Sequence, residues 1–212
     1  MFPLESVLFP GSTLPLHVFE ERYRIMIRRC LSDDRTFGVV LIERGREVGG
    51  GDLRLDVGTA AFIEEAAQFP DGRYALACRG TARVQVVNWL PDDPYPVAEV
   101  ESSHDEGPVE RTQITRAEES VRRAWALLSE LGADSPVDPR PAVGRLPADL
   151  PTSAADGADA WAWCALAPLG ALDRFRLLAC EGHRERLALL CELTDAVAVD
   201  AAALLSRGSE GA

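Results

Sequence analysis

Cys180 and His183 stand in a Cys-x-x-His spacing, the arrangement in this chain that comes nearest to a fragment of metal or nucleophile chemistry. A structural zinc site takes four protein ligands and a catalytic one takes three, so two do not make a centre. The other histidines are His17 and His104, and the other cysteines are Cys30, Cys78, Cys164 and Cys191; none supplies the missing pair at ligand spacing. No metal and no cofactor is therefore expected. Cys164, Cys180 and Cys191 fall on apolar helical stripes, the ordinary setting of a buried, unreactive thiol. His17 lies between Leu16 and Val18, where a proton shuttle would need a partner. With no Cys, Asp or second His beside it, a backbone-bonded histidine is the simpler expectation. No G-x-S-x-G elbow is present, and Ser12 follows Gly11 in a turn with no base at hand. The acid pairs Glu64-Glu65 and Asp92-Asp93 would point to opposite faces of a strand and read as surface charge. The glycines from Gly45 to Gly51 lack G-x-G-x-x-G spacing and lead into no convincing helix, which makes a hairpin tip rather than a phosphate cradle. No catalytic residue is expected.

All 22 basic residues of the 212 are arginine. A serine-lysine dyad needs a deprotonatable amine, and a Walker A loop needs its lysine on the nucleotide phosphates. Neither can be built from this sequence. The net charge is −12, with 11 Arg against 17 acidic residues in 1–105 and the same numbers in 106–212. A nucleic-acid or anionic-membrane surface needs a basic face. Only Arg22, Arg24, Arg28 and Arg29 cluster, beside Glu20 and Glu21, so neither partner is expected. Five scattered cysteines without a CxxC, no basic leader ahead of an apolar stretch, and no run of about 18 apolar residues point to a reducing, cytoplasmic setting.

Aromatic side chains remain as a chemical resource. Phe69 and Tyr74 flank Pro70-Asp71-Gly72, while Trp89 and Tyr95 flank a second turn at Leu90–Pro94. An exposed apolar patch captures unfolded chain by burial and by strand addition at a sheet edge. These four are the candidate polypeptide-binding residues, against the alternative that most of them fill the core. Trp161 and Trp163 are expected to pack between the two halves.

The elements that would position them follow from periodicity. Val7–Phe9 reads as a strand end, Phe9-Pro10-Gly11 as a turn, Leu14–Leu16 as a second strand, and Phe19–Leu31 as an amphipathic helix with Tyr23, Ile27 and Leu31 on one side. Strands are predicted over Phe37–Glu43, Asp56–Gln68, Arg73–Leu90 and Tyr95–Glu101, with the Pro70-Asp71-Gly72 hairpin and a bulge or bend at Arg79-Gly80. Ser102–Pro108 is a polar boundary, placing one domain at 1–105 and another at 106–212. In the second, Thr115 and Glu118 make a capping box for a helix to Leu131. A proline-rich loop follows at about 132–157, and three helices cover Ala158–Ala167, Gly170–Cys180 and His183 to about Ser206.

Phe9-Pro10-Gly11, then Leu14-Pro15-Leu16-His17-Val18-Phe19-Glu20, then Arg22-Tyr23-Arg24 together resemble the opening of the Lon protease N-terminal (substrate-binding) domain family. Further similar pieces run through Phe37–Ile42, Val57–Ala61, Asp71–Tyr74, Arg79-Gly80 and Arg83-Val84, and a leucine pattern near Leu166–Leu169 continues it. The resemblance implies an α+β chain: a PUA-like β pseudobarrel with one early helix, then a C-terminal α-helical bundle. It further implies a standalone, non-catalytic member without the ATPase and protease domains. Its ligand would be unfolded or client polypeptide, with a protease or ATPase as partner. Two other readings stand beside it. A small-molecule-binding or enzymatic module would need a deep pocket gathering His17, Arg79 and an acid. RNA binding, by analogy with other PUA-like domains, runs against the acidic charge of both halves.

Overall fold

The computed structural model describes residues 1–44, 53–103, 109–133 and 157–209. Six strands form one sheet: β1 (Phe2–Leu4), β2 (Thr13–Val18), β3 (Thr36–Arg44), β4 (Leu53–Gln68), β5 (Tyr74–Leu90) and β6 (Val97–Ser103). The order is β1-β3-β4-β5-β2, with β6 also on β5. β1 runs parallel to β3 and the other pairs are antiparallel. β5 is long enough to serve two neighbours along one edge, β2 on Tyr74–Arg79 and β6 on Arg83–Leu90. The sheet is open, with β1 and β2 at the two ends of the path.

Helix α1 (Glu21–Ser32) buries Tyr23, Met26 and Ile27 on the inner face of the sheet, against Leu16, Val18, Phe37, Val39, Ile63, Leu76 and Cys78. The Phe2 and Tyr23 rings stack there at 4.3 Å. Both expected turns are present. Gly11 takes φ +80 and donates to the Gly80 carbonyl at 2.8 Å; Gly72 takes φ +84 and donates to the Phe69 carbonyl at 2.9 Å. Glycine is needed at both, because φ in that region is strained for other residues.

Two local expectations are corrected. Val7–Phe9 is buried but is not a strand; the strand before the turn is β1. The Leu8 carbonyl accepts from the Thr59 hydroxyl at 2.6 Å instead of entering a ladder, and the segment presses so closely on β5 that a Cβ at Gly80 would stand 2.4 Å from the Phe9 oxygen. Gly80 is therefore a point of close approach, beside the register shift between Ala60 and Ala61 that skips Thr81. In the helical part, α2 (Arg111–Ala133) begins four residues before Thr115, so Thr115 lies inside the helix and Gly132 within its last turn. The Gln113 side chain accepts the Glu110 N–H at 3.3 Å, closing the first turn from its third position as the expected box would have done from Glu118.

The remaining helices are α3 (Gly157–Leu166), α4 (Ala171–Ala179) and α5 (His183–Ser209). The chain divides into two compact units, and Arg174–Ala179 belongs with the sheet. There the Arg174 guanidinium stands 5.0 Å from the Phe9 ring. In the helical unit α2 packs on α5, with Ala117, Val121 and Ala124 buried on the one and Leu187, Leu190 and Ala198 buried on the other. Ser120 sits buried in that seam, bonded to the Thr194 hydroxyl at 2.6 Å and donating to Asp195 at 2.5 Å. Both tryptophans of α3 pack inside this unit: Trp161 under the Arg186 guanidinium at 3.6 Å, and Trp163, 1% exposed, under Arg122 at 5.6 Å. Among the described residues no helix is long and apolar enough to cross a membrane. The glycine cluster at 45–51, His104 and most of the proline-rich stretch lie outside the described residues.

Candidate polypeptide-binding surface

Alternation along three paired strands sorts side chains onto two faces. Leu16 and Val18 of β2, Leu76 and Cys78 of β5, and Ala61 and Ile63 of β4 point into the core. The register then stacks the other set in rows on the outer face: His17 across from Ala75 across from Ala67; Pro15, Ala77 and Glu65; Thr13, Arg79 and Phe62. Arg73 and Phe69 continue the series at the hairpin end, where the Phe69 N–H donates to the Arg73 carbonyl at 2.9 Å, and Phe19 follows directly after the end of β2. Four rows on three strands make a platform of about 20 by 10 Å. Its middle holds the small apolar Ala67, Ala75, Ala77 and Pro15, with His17 and Glu65 at its two borders, and its ends carry Phe19, Phe62 and Phe69, which are 54%, 38% and 42% exposed.

Phe62 is held outward by a particular device. Arg35 adopts φ 63 just after α1, accepts the Ile63 N–H on its carbonyl at 2.9 Å, and donates from its guanidinium to the carbonyls of Ile63 and Glu64 at 2.9 and 3.1 Å. This clamps the β-bulge between Ile63 and Glu65 and lays the guanidinium 5.8 Å from the Phe62 ring. Charges around the platform are largely neutralised in pairs, Arg79 with Glu64 at 2.6 Å and Arg73 with Asp71 at 2.7 Å.

The four aromatics singled out from sequence do not form one cluster. Tyr74 lies only five residues from Phe69 but points to the other face; it is 5% exposed and belongs to the core, so it presents no ring to a partner. Trp89 lies at the far end of β5, about 50 Å of strand path away. There its indole N–H donates to Asp56 at 2.9 Å, and Arg54, itself paired with Asp92, stands 5.0 Å from the ring. Tyr95 is half-buried against the core and its hydroxyl accepts from Arg29 at 3.0 Å. Phe19 and Phe62 escaped sequence reasoning because one sits at a strand–helix junction and the other precedes a bulge that shifts the alternation.

No nucleophile emerges from the cysteines whose titration is displaced. Burial pushes the Cys78 thiol up to about 11 and raises those of Cys30 and Cys191, which keeps them protonated at neutral pH. His17 and Arg79 lie four ladder positions apart on the outer face, since His17 pairs with Ala75 and Thr13 with Arg79. The groove that His17 lines does not include Arg79, so the pocket required by a small-molecule reading is not formed there. Among the described residues no group of three or more His, Cys, Asp or Glu is placed to hold a metal.

The profile of the family described as the ATP-dependent protease La (LON) substrate-binding domain matches residues 1–196. The Lon protease of Anaeromyxobacter dehalogenans is 28% identical over 132 residues, which are 62% of this chain and 16% of that protein. Lon protease 2 of Herpetosiphon aurantiacus is 35% identical over 100 residues, 46% of this chain and 12% of that protein. The match thus spans less than a fifth of either relative. A Lon N-terminal domain protein from Xanthomonas campestris has a similar crystal structure, with TM-score 0.60 and 28% identity over 89% of this chain and 94% of that one. The N-terminal domain of Lon protease from Mycobacterium avium complex shares the fold at TM-score 0.57 and 18% identity, covering 91% and 94%.

Proposed function

Because this chain belongs to the ATP-dependent protease La (LON) substrate-binding domain family, we propose that its sheet unit recognises unfolded or client polypeptide noncovalently through the outer face of β2, β5 and β4. The observation that carries this reading is the exposure of Phe19, Phe62 and Phe69 around an alanine-lined platform. Burial of apolar surface contributes about 25 cal/mol per Å², without directional demands. A small-residue surface with aromatic ends therefore accepts many sequences while discriminating by exposure, because folded proteins keep their apolar patches small. Trp89 and Tyr95, partly open but tied to Asp56 and Arg29, form a secondary zone at the other end of β5. We read the curled sheet as the PUA-like pseudobarrel that the sequence resemblance implies.

The role is binding without bond cleavage. This chain has no lysine for a serine-lysine dyad or a Walker A loop, so cleavage of a bound client would fall to a protease partner and ATP hydrolysis to an ATPase partner. Fluorescence anisotropy of labelled, permanently unfolded casein tests the reading. Saturable binding is expected, weakened at least tenfold by Phe19→Ser and Phe69→Ser together while circular dichroism is unchanged, and the casein stays intact with ATP present. Lack of binding, or equal binding by the double variant, would refute it.

A further inference from the structure

The two ends of the open sheet border one groove. Phe2 and Leu4 of β1, Leu16 and Val18 of β2, and Tyr23 of α1 supply its apolar lining, with exposed Phe19 beside them. Its volume is about 160 Å³, close to the roughly 150 Å³ of an apolar cavity that admits one benzene. It accommodates one large apolar side chain and not a longer stretch.

The backbone beside that groove has a definite polarity. Pro15 pairs with Ala77 but has no N–H, so this is a non-hydrogen-bonded position, and the ladder bonds to β5 belong to Leu14, Leu16 and Val18. The Gly80 N–H donating to the Ser12 carbonyl at 2.9 Å fits the same parity. Thr13, Pro15 and His17 therefore turn their polar backbone groups away from β5, and among the described residues no strand pairs with β2 on that side. That edge offers three carbonyls but only two N–H groups. Edge strands commonly carry proline to blunt pairing. Here the same proline leaves an edge short of donors and rich in acceptors, next to a pocket for one side chain.

We infer that this groove takes an extended segment of client polypeptide by strand addition to the outer edge of β2, with one phenylalanine- or leucine-sized side chain in the pocket and free N–H groups on the residues facing Thr13, Pro15 and His17. The occupant is polypeptide because its backbone is the complement of a strand edge. This rests on the polypeptide-binding reading and adds to it a mode and a selectivity: clients are rejected where proline occupies the docking residues.

Binding of a short labelled Ser/Thr peptide with one central phenylalanine tests it, alongside the same peptide N-methylated at alternate residues, a Phe-to-Ala version, and unfolded casein. N-methylation in one of the two registers and loss of the phenylalanine should each weaken binding at least tenfold. Phe19→Ser should weaken it several-fold. Pro15→Ala, which adds a third edge donor and should leave the fold intact, should tighten it several-fold. Equal affinity for all peptides, or unchanged affinity in both variants, overturns the groove while casein binding preserves the broader reading; loss of casein binding as well overturns both. Self-association of the protein that both variants alter, with no peptide binding, makes the occupant a second copy and also overturns the proposal.

Discussion

Tyr74 and Phe69 show how little of a residue's role is set by its type. Both are aromatic and both flank the same turn, yet one ladder position separates a core ring from a platform ring. Tyr74→Ala is expected to destabilise the protein by about 3–5 kcal/mol, the range for truncating a buried aromatic. Phe69→Ala should change stability by about 0.5 kcal/mol or less, the range of surface substitutions. Urea denaturation midpoints separate the two. Asp195 carries a different kind of prediction. The hydrogen bond from Ser120, and then the hydrogen bond and charge of Arg123, hold its carboxyl below the ordinary aspartate value. A depressed carboxyl stabilises the fold above its unfolded value and loses that contribution as pH falls through the lowered one. Asp195→Asn should therefore lower stability at neutral pH and decline less steeply in acid below about pH 4, so that the two acid-unfolding curves converge. Parallel curves offset by a constant amount would place the aspartate's effect outside its titration.

At the scale of elements, turns were legible because their chemistry is local: Phe9-Pro10-Gly11 and Pro70-Asp71-Gly72 both require a left-handed glycine, and both have one. Strand pairing was legible where alternation is long, as in β4 and β5. It was not legible for Val7–Phe9, whose apolar run suits a strand but whose Leu8 carbonyl is taken by Thr59. The first residue of α2 was missed because Glu110 and Gln113 form a half-box in which no serine or threonine signals the cap. The outer platform could not be assembled from sequence, since its rows depend on the β2–β5 register and on the bulge clamped by Arg35. The register itself depends on Gly80. Gly80→Ala would drive a methyl against the Phe9 carbonyl, and the expected loss is about 1–3 kcal/mol, as for overpacking elsewhere. A denaturation midpoint unchanged in Gly80→Ala would mean that the Leu8–Phe9 segment does not constrain β5 as described.

For the whole molecule, the absence of lysine and the surplus of acids narrow the chemistry before any geometry is known, and the family match over residues 1–196 agrees with a recognition role. The sheet unit carries the exposed rings Phe19, Phe62 and Phe69, while the helical unit spends its large aromatics, Trp161 and Trp163, on its own interior. On this ground we propose the sheet as the recognition surface, against the exposed Leu172, Val199 and Leu204 of the helices. A lysine-free protein is also convenient to interrogate, because amine-reactive crosslinkers find no side chain on it. The most direct measurement is site-specific photocrosslinking to permanently unfolded casein, with benzoylphenylalanine placed in turn at Phe19, Phe62, Phe69, Val199 and Leu204, the last two being exposed on α5. Crosslinks from the three sheet positions and none from the two helical ones are expected. Crosslinks confined to Val199 and Leu204, or none from any position at concentrations where casein binds, would contradict the assignment.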